Sequence, residues 1–269
     1  MAYRRHEGVS ESLGFLLIFT MVVVGVGLVT LYGYPMLLQQ QSSTGEQIME
    51  KNMIVLQNDM KSLAYKTVPY SETSLNVGSG TLTVYNASND AATLEIQSSG
   101  PQPVDYTFKL GSLTYDSVSA GQDIVLQDGA VLSRNLVTSG STMLAEPRWF
   151  YDGQTNTWVI NLISINSSSN LSRAGIGTVQ MELGQTFYNE TSGIANGQVN
   201  VYYTPDPSQD YSVAWDTYFT NPTLGLTHGV PFSLGSPPRY HYLLPFQSGL
   251  NVPPGTLVIK KIDIIVDSV

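Results

Sequence analysis

The chain has 269 residues, enough for one large or two small domains, of which 42 % are hydrophobic and only 12 % charged, roughly half the usual share. A formal net charge of −9, with six scattered lysines of which only Lys260-Lys261 are adjacent, leaves no basic excess to neutralise phosphates and argues against nucleic acid as a partner. The absence of cysteine excludes disulfides, thiolate metal sites and cysteine nucleophiles.

From Leu13 to Leu38 the sequence is apolar, and no charge occurs between Glu11 and Glu46. About 20 apolar residues span a bilayer, so this stretch is long enough. It ends in Tyr32-Gly33-Tyr34-Pro35-Met36 rather than a small-residue cleavage site, which favours an anchor over a removable secretory signal. Arg4 and Arg5 precede it and no compact basic cluster follows, so the positive-inside rule places the N-terminus in the cytoplasm and the remainder outside. Tyr32 and Tyr34 stand where an outer aromatic belt belongs.

Beyond the span, Met49, Met53, Leu56, Met60 and Leu63 recur in steps of four and three, one narrow apolar stripe along a helix. The helix is expected to run from about Ser12 to Tyr65, with a kink at Pro35 and an end before Pro69. The stripe suits packing onto the protein's own domain; a short parallel coiled coil is the alternative.

From about Ser71 short alternating runs take over: Thr81–Tyr85, Thr93–Gln97 and Tyr106–Leu110. Asp128-Gly129 between Ile124–Gln127 and Ala130–Arg134 is a strong hairpin signal. A second hairpin, with a longer loop, is expected from Trp149–Tyr151 to Thr157–Ile165. Thr178–Leu183, Gln198–Tyr203 and Thr256–Val266 add strands, Tyr211–Phe219 reads as a short helix, and the Pro-rich stretches at 205–207, 237–238 and 253–254 read as loops. The fold class is therefore mainly β with one long N-terminal α-helix, the strands forming a sandwich or barrel-like domain. Asn-x-Ser/Thr sequons at Asn86, Asn166, Asn170 and Asn189 are candidate glycosylation sites if this domain faces outward.

The residues Arg4-Arg5-His6-Glu7-Gly8-Val9-Ser10-Glu11-Ser12-Leu13-Gly14-Phe15 resemble the start of an archaeal type IV prepilin. Over its wider length the chain is similar to a group of archaeal pilin-like surface proteins of halophiles and methanogens, which share a Gly-Val-Ser-x-x-Leu-Gly-Phe start and a β-rich ectodomain. The stretch Ile124–Leu132 also fits that group. The resemblance implies cleavage by a prepilin peptidase between Gly8 and Val9. It divides the chain into a leader (1–8), a membrane or filament-core helix (9–38), an amphipathic continuation (39–68) and an extracellular β-domain (69–269). Leu13 and Phe15 would then open the anchor helix. Many pilins carry a glutamate at the fifth mature position, where it neutralises a neighbouring subunit's amino terminus; here Glu11 would be the third, serving either that role or as an ordinary interfacial residue.

The rest of the sequence offers little chemistry. His6, His228 and His241 have no partners at metal-ligand spacing, and neither a Gly-x-Ser-x-Gly nor a phosphate-binding Gly-x-x-x-x-Gly-Lys motif occurs. Gly175-Ile-Gly177 reads as a turn. Asp206, Asp210 and Asp216 read as solvated loop carboxylates rather than one oxygen-ligand ion site. Trp149, Trp158 and Trp215 read as core, with a sugar-binding groove as the alternative. The expectation is a non-enzymatic surface protein with no cofactor and no metal. Membrane lipid, prepilin peptidase and like subunits are its expected partners. An unprocessed anchored adhesin or ligand-binding module is the alternative.

Overall fold

A computed structural model of the chain describes residues 7–66, 68–89, 92–99, 102–117, 121–138 and 140–269. The chain divides into two compact units, residues 1–45 and 46–269.

In the first unit, α1 covers Glu7–Leu28, a π-helical turn follows over Val29–Gly33, and α2 begins at Tyr34 and runs to Tyr65, entering the second unit at Glu46. Instead of a plain kink at Pro35, the chain widens one turn before it. Tyr34 N–H bonds Val29 O, five residues back, as the helix enters a proline that has no N–H to donate and whose ring crowds the preceding turn. The hydroxyls of Thr20 and Thr30 donate to Leu16 O at 2.7 Å and Val26 O at 2.9 Å, so these polar side chains are satisfied within the helix itself.

The second unit has two sheets. Nine strands form the larger one, in the order β7 (Ser141–Ala145), β6 (Ala130–Asn135), β5 (Gln122–Gln127), β4 (Ser112–Asp116), β1 (Tyr70–Tyr85), β10 (Ser172–Ile194), β14 (Gly255–Ser268), β9 (Thr157–Ser167) and β8 (Trp149–Asp152). The smaller sheet has the order β12 (Thr227–Leu234), β13 (Arg239–Leu243), β11 (Val199–Thr204), β2 (Thr93–Ser98), β3 (Val104–Lys109). Every pairing is antiparallel except β14 with β9.

Strand alternation sends side chains of the large sheet to two cores. Val125, Leu132, Trp158, Ile160, Leu257 and Ile259 face the small sheet and meet Leu94, Ile96, Val201 and Tyr203, joined by Trp215 and Phe219 of α3 (Ser212–Phe219). Ile124, Leu126, Val131, Ile163, Ile165, Ile262 and Ile264 point the other way, against the helix stripe. The expected sandwich is thus present with a helical third layer. Met49, Met53, Leu56, Met60 and Leu63 are all within 1 % of full burial, so the stripe packs on its own sheet and is not a coiled-coil seam. At ~1.5–3 kcal/mol for each fully buried large apolar side chain, the five contribute on the order of 10 kcal/mol before the entropy of ordering is counted.

The Asp128-Gly129 hairpin forms as expected. Both residues have positive φ, 50° and 71°, and Gln127 pairs with Ala130, the mark of a type I′ two-residue turn. The Trp149–Asp152 to Thr157–Ser167 hairpin and the helix at Ser212–Phe219 also form. Gly175-Ile-Gly177 is not a turn: it lies inside the 23-residue β10, paired with β1. β1 itself breaks register between Asn76 and Thr81, and Gly80 there has no room for a side chain, since a Cβ would fall 2.3 Å from the Tyr115 ring.

Candidate functional site

Residues Ser12–Leu38 form a 27-residue helical stretch long and apolar enough to cross a membrane, and none of it is buried against the rest of the chain. Leu13 and Phe15 are exposed, the latter by 73 %, and the Phe15 ring stacks on Phe19 with centroids 6.3 Å apart. Tyr32 and Tyr34 at its far end are exposed too. Apart from the Phe15–Phe19 stack, the large apolar side chains of the run stay exposed among the described residues. Gly8, Val9 and Glu11 lie in α1; Arg4, Arg5 and His6 of the leader lie outside the described residues.

The second half of α2 is fastened to the β-domain by polar contacts as well as by its stripe. Buried Gln57 donates through Nε2 to Gly129 O at 2.6 Å and Glu146 O at 3.0 Å. Lys61 Nζ reaches the same Glu146 carbonyl at 2.9 Å, Gln122 Nε2 donates to Glu50 Oε1 at 3.0 Å, and the Thr73 hydroxyl donates to Asp59. Beneath this seam Asp128 is fully buried. Its Oδ1 accepts the Ile163 N–H at 2.7 Å, while desolvation pushes its carboxyl well above the usual range.

The four sequons differ in what the fold leaves available. Asn170 is exposed in the loop between β9 and β10. Asn86 is engaged on both sides, its Nδ2 donating to Ser167 O and its Oδ1 accepting from Ser88. Asn166 sits on β9 with Nδ2 3.5 Å from Asp263 Oδ1. Asn189 lies on β10, donating to the Tyr106 hydroxyl at 3.3 Å, and the threonine of its sequon, Thr191, is buried.

Residues singled out for chemistry disperse. Asp206 and Asp210 accept the backbone N–H groups of Ser208 and Ser212, and Asp216 pairs instead with His228 Nε2 at 2.7 Å. His241 bonds Asn200 at 2.8 Å, its pKa lowered mainly by burial. Trp149, Trp158 and Trp215 are buried in the inter-sheet core, and Trp149 also edges an open cleft at the end of α2. Among the described residues no three His, Asp or Glu side chains gather as a metal site.

A family match covers residues 7–228, which includes the apolar helix, the stripe and most of the β-domain. The chain belongs to DUF7289, a family of unknown function. Its matched region ends within β12, so strands β13 and β14 of this chain lie beyond it. No curated protein and no solved structure matched the chain.

Proposed function

We propose that the chain is a type IV pilin-like surface subunit of archaeal kind, non-enzymatic, with its N-terminus cytoplasmic and its β-domain outside. The observation that carries this reading is the wholly unburied apolar helix Ser12–Leu38, preceded by a leader-like Arg4-Arg5 and a Gly8-Val9 junction. An apolar surface of this length needs lipid or like helices around it, and a pilin-like subunit supplies first one and then the other. Dispersal of the titratable side chains into turns and strand contacts supports a structural rather than a catalytic role. Asn170, on an exposed loop, is the sequon best placed to carry a glycan.

Intact mass and N-terminal sequencing of the native protein, taken from its own membrane and surface fractions, test the reading. A chain beginning at Val9, with added mass that maps to Asn170, is expected. A chain that keeps Met1 or Ala2 would overturn prepilin-type processing and leave a signal-anchored surface domain in its place.

A further inference from the structure

The scattered lysines of the sequence are not scattered in space. Of the twelve lysines and arginines, Lys61, Lys66, Arg148 and Lys260 converge on one tyrosine at the end of α2. The Arg148 guanidinium lies 4.7 Å from the centroid of the Tyr65 ring, and Lys260 Nζ lies 5.7 Å from it. Lys61 near the end of α2 and Lys66 just beyond it line, with Arg148 and Phe150, an open cleft of about 680 Å³.

The charges there are not balanced locally. Elsewhere Arg134 pairs with Asp123, Arg239 with Glu95 and Lys261 with Asp263, whereas none of these four cations makes an ion pair among the described residues. The nearest acid, Glu146, gives Lys61 its backbone carbonyl, and its carboxylate offsets only part of the field. Burial, and then the neighbouring Arg148, depress the Lys61 pKa, the expected effect of cations crowded without counterions. On a chain of net charge −9 such a cluster gains nothing for solubility.

We propose that this cleft binds an acidic polysaccharide, with Lys66 and Arg148 holding its carboxylate or sulfate groups and Phe150 offering a ring face to a sugar. Lys66 and Arg148 are exposed, Phe150 is 44 % exposed, and Asn58 and Ser62 add an amide and a hydroxyl to the wall. An open cleft whose mostly apolar walls carry cationic, amide and hydroxyl groups suits a linear chain of charged sugars, which offers apolar ring faces as well as charge, better than a flat lipid surface, which calls for protruding side chains. The inference rests on the outward-facing reading for its biological setting, but the binding itself does not.

The test uses the full-length protein in nonionic detergent micelles, titrated at low ionic strength with polygalacturonate, dextran sulfate and uncharged dextran. Binding to at least one charged polymer and not to dextran is expected, weakening as salt rises. Preference between the two charged polymers tells carboxylate from sulfate recognition. The double variant Lys66→Glu/Arg148→Glu is expected to lose about tenfold or more in affinity. Lys66→Gln with Phe150→Ala, gentler on the fold, should show a smaller loss. Failure to bind either polymer, unchanged affinity in both variants, or capture by phosphatidylglycerol vesicles alone would each overturn the proposal. Failure here leaves the Val9 start untouched, so the two readings fall separately.

Discussion

Residues 12–38 and residues 46–65 are both helical and both carry large apolar side chains, yet they handle them in opposite ways. Along the first stretch apolar residues occur on every side and all stay uncovered. In the second most of them form one stripe that disappears against the sheet, and the other faces are mainly polar, with Ile48 and Val55 left exposed among them. The difference lies in the distribution of apolar residues around the helix rather than in helix propensity. An all-round apolar helix requires an apolar solvent, whereas a one-sided one requires only a single partner surface.

The most demanding way to break this contrast is to truncate one residue in each half. Leu56→Ala removes buried volume and is expected to cost about 2–5 kcal/mol of β-domain stability, while Val24→Ala should leave the thermal midpoint of that domain unchanged. Thermal unfolding of both variants in micelles, followed by near-ultraviolet circular dichroism, decides it; equal losses would mean the two halves are not independent. A charge reverses the pattern. Val24→Arg is expected to cost about 2.5–3.5 kcal/mol of membrane insertion, read as the membrane-integrated fraction after alkaline extraction, with the β-domain midpoint unaffected.

The smallest expected effect sharpens the comparison from beneath the docked helix, at Asp128. Desolvation raises its pKa well above that of the unfolded chain, so between the two values folding takes up a proton. Its contribution is therefore full below the unfolded value of about 3.9 and declines as pH rises toward the folded one. Asp128→Asn keeps the acceptor for the Ile163 N–H and suits the positive φ. It should raise the midpoint at neutral pH and match the natural protein near about pH 4. Parallel stability curves for the two proteins would show that Asp128 carries no such penalty.

The helix, its stripe and the Asp128-Gly129 hairpin were legible because each depends on local periodicity or on turn residues with special backbone angles. β10 was read only over Thr178–Leu183 because glycines at 175, 177, 184 and 193 interrupt its alternation, the last two where its register with β14 shifts. β4 is buried along most of its length and shows no polar face to alternate with, while β12 is interrupted by Pro231 and β13 is short and aromatic. The parallel pairing of β9 with β14 could not be read at all, since nothing local records which distant run lies alongside. The same holds for the cationic cleft, whose members lie at positions 61, 66, 148 and 260 and meet only through tertiary packing. The sequons were visible, but their exposure was not, because burial of Thr191 depends on neighbouring strands.

The place of β14 sets the order in which this protein can be made. It is the last of the described strands in the sequence, yet it lies inside the large sheet between β10 and β9 and completes the floor on which the helix stripe rests. A ribosome delivers the stripe first and that floor last. Until Ile262, Ile264 and Val266 are made, the ridge from Met49 to Leu63 therefore rests on an incomplete floor. A chain stopped shortly before Gly255 would lack the strand that joins the two flanks of the sheet, leaving them as separate, sticky fragments for the cell's quality control to find.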